Sequence, residues 1–284
     1  MQKDNNMKKI TLLATLLGLV ACSPKIDPEQ EANTPLQLSH DLQQIINSDH
    51  RSEDNRSRDV YRNPHQTLEF FDIRPHHHVL EISPGGGWYT EILAPYLRQE
   101  GQLTLAIFSE DSPSEFRRNL NRNLKQKLED SPDIYDRVQL SVFEPPVAME
   151  LPVPTESVDR IVTFRNVHSW MGQGKAQEVF NVFYEALRPG GVLGVVQHRA
   201  KNSKEDQDPK AESGYVSQDY VIAMAKKAGF RLEAYSEINA NPQDSADHPS
   251  GVWTLPPALR LGDENREHYL SIGESDRMTL KFVK

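Results

Sequence analysis

The sequence predicts an α/β protein: a doubly wound, mostly parallel sheet of seven strands, with a long insertion before the last strand. Three observations carry this reading. From Pro64 onward, short apolar runs alternate with stretches of helical spacing, and apolar runs of strand length belong to a parallel sheet covered on both faces. Three consecutive glycines, Gly85, Gly86 and Gly87, follow the first of these runs. Residues 238–277 show neither period. Of 284 residues, 37% are hydrophobic, enough to close a core and too many for a disordered chain.

Taken from the N-terminus, Lys8 and Lys9 precede an apolar run from Ile10 to Val20 that ends Leu19-Val20-Ala21-Cys22. A basic start, a short apolar core and small residues at its end make a secretory signal, too short to span a bilayer. The last four residues resemble the lipobox of bacterial lipoproteins, and Cys22 is the only cysteine of the chain. That resemblance implies cleavage after residue 21 and acylation of Cys22. Ser23, rather than Asp, at the next position implies sorting to the outer membrane, facing the periplasm. The alternative is a buried N-terminal helix with an incidental cysteine. A single cysteine excludes an internal disulfide framework and a thiolate zinc site.

Residues 22–36 are polar and carry Pro24, Pro28 and Pro35, so they read as a tether. An N-terminal helical segment, 37–63, follows. Leu42, Ile45 and Ile46 share one face of a helix over 39–47. His50 to Arg62 is dense in both charge signs and reads as a solvated segment, although Arg56, Arg58 and Arg62 beside Tyr61 leave a substrate-facing role open. The main domain spans 64–284. Its strands are expected at 78–82, 103–108, 138–143, 158–164, 192–197, 231–238 and 278–283. Helices are expected at 88–98 (shortened or kinked by Pro95), along the stripe Phe116-Leu120-Leu124-Leu128, at 175–187 and at 217–228. Arg188-Pro189-Gly190-Gly191 stops the third of these, and Gly229 the fourth.

The bend at Ser83-Pro84-Gly85-Gly86-Gly87 lets the backbone approach a ligand at a helix start. Its spacing is not G-x-G-x-x-G, and no P-loop lysine follows. A tight strand-to-helix turn is the plain alternative. With its neighbours the bend says more. Val79-Leu80-Glu81-Ile82-Ser83-Pro84-Gly85-Gly86-Gly87 resembles motif I of the class I S-adenosylmethionine-dependent methyltransferases. Val158-Asp159-Arg160-Ile161-Val162-Thr163-Phe164 resembles their fourth strand, and Leu187-Arg188-Pro189-Gly190-Gly191-Val192-Leu193 their turn into the fifth. Residues 88–97 and 237–260 further resemble a group of exported bacterial proteins known as predicted methyltransferases.

The resemblance implies a Rossmann-like methyltransferase sheet and S-adenosylmethionine as cofactor. Glu81, Ser83, Pro84 and the Gly85–Gly87 backbone would hold the cofactor's methionine end. Family members usually end the second strand with an acid that clasps the ribose; here Ile107 and Phe108 stand there, and Glu110 would have to reach back. Ser83 replaces a common glycine. Glu144 would meet the adenine, or be a plain loop acid. Arg165 and Asn166 open the loop after the fourth strand on the cofactor side. His168 in that loop would be the catalytic base, its pKa lying near neutrality. Trp170, His198, Arg199 and, from the insertion, Trp253 would face substrate, with a core-capping tryptophan beside a structural histidine as the other reading of 168–170. Residues 238–277 are expected to fold over the cleft as a lid.

No metal site is expected, since His76, His77 and His78 are consecutive and point different ways. A formal net charge of −9 excludes nucleic acid as a partner. Hydrolase motifs of the G-x-S-x-G and H-E-x-x-H types are absent. Two functions stay open: methyl transfer to a small-molecule or envelope substrate, and ligand binding by a retained methyltransferase fold without catalysis.

Overall fold

The computed structural model describes residues 41–150, 153–201 and 206–284. The signal segment, Cys22 and the tether lie outside the described residues. Seven strands form one sheet: β1 (His78–Ile82), β2 (Gln102–Ile107), β3 (Gln139–Val142), β4 (Val158–Phe164), β5 (Leu187–His198), β6 (Arg231–Ser236) and β7 (Arg277–Val283). Their spatial order is β3-β2-β1-β4-β5-β7-β6. Neighbours from β3 to β5 pair in parallel, and β7 runs antiparallel to both β5 and β6. The winding direction reverses beside β1, so the crevice for a ligand opens at the carboxyl ends of β1 and β4.

The strand period of two sorts side chains onto two cores. Leu80 and Ile82 pack with α9 (Ala176–Ala186) and α10 (Gln218–Ala228) on one face. Val79 packs on the other with α5 (Thr90–Leu97) and with α1 (Leu42–Ile46). Every residue of β4 is buried, which is why its sequence reads as an unbroken strand. Between α1 and β1 lie three short helices, α2 (Glu53–Arg56), α3 (Asp59–Arg62) and α4 (Pro64–Phe70). The helix α6 (Glu115–Asp130) follows β2, and α7 (Pro132–Tyr135) leads to β3.

Several expectations are corrected. Pro95 does not end its helix, since α5 runs on to Leu97. Proline cannot donate to the carbonyl four residues back, and that freed Glu91 carbonyl accepts a hydrogen bond from His50 Nε2 at 2.7 Å. The charged segment 50–62 is solvated only in part: residues 52–54, 57, 60 and 61 are exposed, but Arg51 and Arg62 are buried, and their guanidiniums lie 5.1 and 4.7 Å from the Trp88 ring. The loop after β4 contains a helix, α8 (Val167–Gly172). The Pro-Gly-Gly turn belongs to a longer β5 whose Gly190 N–H donates to the Lys284 carbonyl.

One glycine of β5 marks a close approach between the sheet and the turn that ends α4. A Cβ on Gly194 would stand 2.6 Å from ring atoms of the buried Phe71. Both groups are held by regular structure around them, so Gly194→Ala is expected to destabilise the protein by about 1–3 kcal/mol, the usual effect of overpacking. Denaturant unfolding with an unchanged slope checks it.

Candidate functional site

The bend after β1 is built from backbone strain and glycine. Ser83 leaves the strand in the left-handed region, φ 48°, with its N–H donating to the Ala106 carbonyl at 2.8 Å. Gly85 (φ 61°) and Gly87 (φ 80°) follow in the same region, where side chains are strained. The three glycines differ in what surrounds them. A Cβ on Gly87 would be 2.9 Å from Leu124 Cδ1, so Gly87 is there for packing against α6. A Cβ on Gly85 or Gly86 would meet nothing within 4 Å. These two border a cavity of about 430 Å³, with Glu81, Ser83 and Pro84 also in its wall.

Glu81 stands on the same face of β1 as Val79 and is 1% exposed. Its Oε2 accepts from Thr90 Oγ1 at 2.7 Å, and Oε1 has no partner among the described residues. Burial drives its pKa up to about 7, with the Thr90 hydroxyl opposing only in part.

The far side of the bend is closed. Ile107, Phe108, Leu120 and Leu124 fill the slot between the glycines and the end of β2, leaving essentially no free volume (≈ 0 Å³). Glu110 does not reach back to it: the side chain is 73% exposed and ion-paired with Lys125. Glu144 is fully buried but braces the β2–α6 loop, accepting from the Ser109 N–H (2.8 Å), Ser112 Oγ (2.5 Å) and Arg117 Nη1 (2.8 Å). Burial pushes its pKa up, but these hydrogen bonds outweigh it and hold the carboxyl below its usual range. Phe116, expected on the packed stripe of α6, is 70% exposed and lines the cavity instead.

The end of β4 supplies a second wall. Asn166 Nδ2 donates to the Ile82 carbonyl (2.9 Å) and to Thr163 Oγ1 (3.1 Å), tying β4 to β1. His168 and His198 both face the cavity, their rings 5.7 Å apart. Gln197 fixes the His168 tautomer. Its Oε1 accepts from the Val167 N–H and its Nε2 donates to the Gly214 carbonyl, so the same Nε2 must donate to His168 Nδ1 at 3.2 Å. Neutral His168 then carries its proton on Nε2 and offers a donor, not a lone pair. That corrects its expected role as base. His198 is different: Nδ1 lies 2.6 Å from Ser275 Oγ, a hydroxyl that either gives or takes a proton.

Burial pulls His168 down to about 4, and burial with the nearby His168 and arginines pulls His198 well below its ordinary value. An unfolded histidine binds its proton near pH 6.5. Between that pH and about 4 the unfolded chain therefore binds more protons than the native one, and stability is lost as pH falls. Glu81, with its raised pKa, slopes the opposite way from pH 4.5 to about 7, and the difference between parent and variant cancels its contribution. His168→Gln is expected to flatten the loss by up to about 1.4 kcal/mol per pH unit below 6.5. Urea midpoints at pH 7.5 and 5 measure it.

Trp170 is not at the site. Its ring is 3% exposed and packs edge-on against Phe183 in the main core. Arg199 is not in the cavity wall either: its fork is taken by Asp276 and Glu237 at 2.7–3.1 Å. Trp253 is in the wall, on a 3-10 turn (Gly251–Thr254), together with Val252, Leu255, Pro256 and Pro257 of the insertion. The insertion is pinned by short polar side chains. Asn239 Nδ2 donates to Thr67 Oγ1 and Thr279 Oγ1, and buried Asp244 accepts from Tyr215 Oη and the Asp276 N–H. A further helix, α11 (Arg266–Ile272), packs Tyr269 and Ile272 on Leu255. No group of histidine, cysteine and acidic side chains able to hold a metal occurs among the described residues.

On the cationic side of the cavity the sequence reading named Arg58, Arg62 and Arg165 but missed Arg277 and Glu274. Arg58 just before α3, Arg62 at its end, Arg165 after β4 and Arg277 at the start of β7 all line that side, around the carboxylate of Glu274. Glu274 accepts from Arg58 Nε at 2.6 Å and Arg62 Nε at 3.2 Å, and also from Arg277. Burial pushes this carboxyl up, but the four arginines hold it at about 2.

No family model and no curated protein matches the chain. Solved structures do. A SAM-dependent methyltransferase from Aquifex aeolicus aligns over 70% of this chain and 93% of its own, at 18% identity and a TM-score of 0.51. A sarcosine dimethylglycine methyltransferase from Galdieria sulphuraria, described as putative, covers 81% and 84% at 15% identity, TM-score 0.54. The [4+2]-cyclase SpnF covers 84% of both chains at 17% identity, TM-score 0.54. The fold is thus the Rossmann-like methyltransferase fold, and it is shared with a neighbour described as a cyclase.

Proposed function

We propose that this chain is an S-adenosylmethionine-dependent methyltransferase acting on a small acceptor in the 430 Å³ cavity. The observation that carries this reading is the pairing of two open glycines with a buried, half-partnered carboxylate at the carboxyl end of β1. A group bearing an ammonium and a sulfonium suits that donor set. Glu81 Oε1 would accept from the ammonium, the Gly85–Gly86 backbone would lie along the methionine chain, and Phe116 offers an aromatic face at the cavity wall. The bound sulfonium supplies an activated methyl group for in-line displacement. Alignment then does most of what the protein has to do. Asn166 keeps the β4 loop against β1, Trp253 and Pro256 wall the cavity from the insertion, and His168 donates from Nε2. His198, with its Nδ1 proton kept on a hydrogen bond to Ser275 Oγ, can take a proton at Nε2.

One observation favours a second reading. The ribose acid is missing and the slot beside it is filled, so the fold would serve here as a binding module without methyl transfer. Calorimetric titration of the purified protein with S-adenosylmethionine and S-adenosylhomocysteine separates the two. Micromolar binding of both, with the acceptor space still open, is expected; failure of both to bind leaves only the second reading. The lipobox supports placement of either activity on a lipoprotein held at the outer membrane, facing the periplasm, by acylated Cys22. Metabolic labelling with an alkynyl fatty acid, lost in Cys22→Ala, tests that anchor.

A further inference from the structure

The four guanidiniums of Arg58, Arg62, Arg165 and Arg277 share the cavity wall with one ionised partner, Glu274. Their side chains are not spread over a solvated face. Arg62 is 3% and Arg277 2% exposed. Three of their nitrogens, Arg58 Nη2, Arg62 Nη2 and Arg277 Nε, are buried without any hydrogen-bond acceptor. The Arg165 guanidinium has no hydrogen bond or ion pair among the described residues, while its backbone N–H donates to the Val196 carbonyl at 2.7 Å and holds the residue in the left-handed region at φ 65°. Burial and the neighbouring Arg277 depress its pKa to about 10. Buried, unpaired cations are strongly unfavourable unless something supplies the opposite charge. The surplus is three positive charges.

The cofactor does not remove this surplus. It brings one carboxylate, which satisfies one guanidinium, and adds an ammonium and a sulfonium that Glu81 alone answers. We infer that the methyl acceptor is a small molecule bearing a dianionic oxyanion group, a phosphate monoester or a dicarboxylate, seated among Arg62, Arg165 and Arg277. Guanidinium forks match the paired oxygens of either group. The recess between Tyr89, Phe164 and Val196 is walled by the same three arginines but holds only about 10 Å³, so the anion would sit on their main-cavity side. Only the fate of the bound anion rests on the methyl-transfer reading; the anion site stands on the guanidiniums.

The test uses the purified protein in chloride buffer of matched ionic strength, with inorganic phosphate and malonate as probes, each with and without S-adenosylhomocysteine. The variant is Arg165→Gln, because Arg165 has no partner to lose. In the parent, one or both probes at ~100-fold excess over Kd raise Tm by about 5–10 °C. Which probe acts distinguishes a phosphate from a dicarboxylate acceptor. Arg165→Gln keeps or raises the Tm of the anion-free protein, since a repelling charge is gone, while binding the probe about tenfold or more weakly. Arg165→Lys keeps the charge without the fork and falls between them. Equal responses of parent and Arg165→Gln overturn the proposal. Competition between probe and S-adenosylhomocysteine also overturns it, by assigning the arginines to the cofactor's own carboxylate. Anion binding by a protein that ignores S-adenosylhomocysteine upholds the site and removes the methyl-transfer reading instead.

Discussion

Glu81→Gln is expected to make the ligand-free protein more stable and its affinity for S-adenosylmethionine weaker. The carboxyl is 1% exposed and has a single hydroxyl donor, Thr90. Its folded pKa of about 7 lies above the ordinary carboxylate value near 4.5. A carboxylic acid whose pKa is raised on folding is a native group that prefers its proton. Its contribution to stability is full below pH 4.5 and is lost as pH rises through 7. At pH 8 that loss amounts to up to about 3 kcal/mol, which Gln does not incur. Binding runs the other way. A cationic ligand favours the ionised carboxylate, so the pKa falls on binding and a proton leaves. Affinity in the parent should therefore rise by up to about tenfold per pH unit below 7 and level off above it. In Glu81→Gln the profile is flat, and affinity at pH 8 is about 10–100-fold lower, the worth of a hydrogen bond to a charged group. Calorimetry in two buffers of unlike ionisation enthalpy measures the released proton directly. A parent that binds with no proton release, or a variant that binds equally well at pH 8, would remove Glu81 from the cofactor's seat.

How far the sequence could be read depends on which physical signal each part carries. Buried strands announce themselves: β1 and β4 are short, mostly apolar runs buried on both faces, and the sequence places both to the residue. The glycine bend was legible because no other residue type accounts for it, yet its division of labour was not. That Gly87 packs on Leu124 while Gly85 and Gly86 face open space is a property of α6, which lies well along the chain. Phe116 and Trp170 show the same limit from two sides. Both sit at helical spacing in apolar company, but Phe116 points into the cavity and Trp170 into the core. The arginines were the least legible. Charged runs such as 50–62 look alike whether solvated or buried, and Arg165, Glu274 and Arg277 come from separate parts of the chain. Only the sheet order, which sets β7 beside β5 and β4 beside β1, brings them together. In the insertion the signal was present but unread: Asn239, Asn241 and Asp244 are the residue types that tie irregular backbone down by side-chain hydrogen bonds.

Gly86→Leu separates a seat for a ligand from a tight corner more sharply than any other single change. At Gly85 and Gly87 the positive φ alone penalises a side chain, so loss of function there would be ambiguous. Gly86 has no such restriction, and a Cβ added to it meets nothing within 4 Å. The added side chain has only the cavity to enter. Folding should hardly notice, within about 0.5 kcal/mol, as for an exposed substitution away from packed features. If the bend is merely a turn, ligand binding elsewhere in the cavity would be equally indifferent. If the methionine chain of the cofactor lies along Gly85 and Gly86, an isobutyl group occupies the same space, and affinity for S-adenosylmethionine and S-adenosylhomocysteine should fall by at least about 100-fold. Gly87→Ala supplies the opposite pattern, lowering stability through the 2.9 Å approach to Leu124 while leaving the cavity side of the loop unchanged. A Gly86→Leu protein that unfolds like the parent and still binds the cofactor at parental strength would show that nothing sits on these glycines, and Glu81 would then be a buried acid without a ligand to answer.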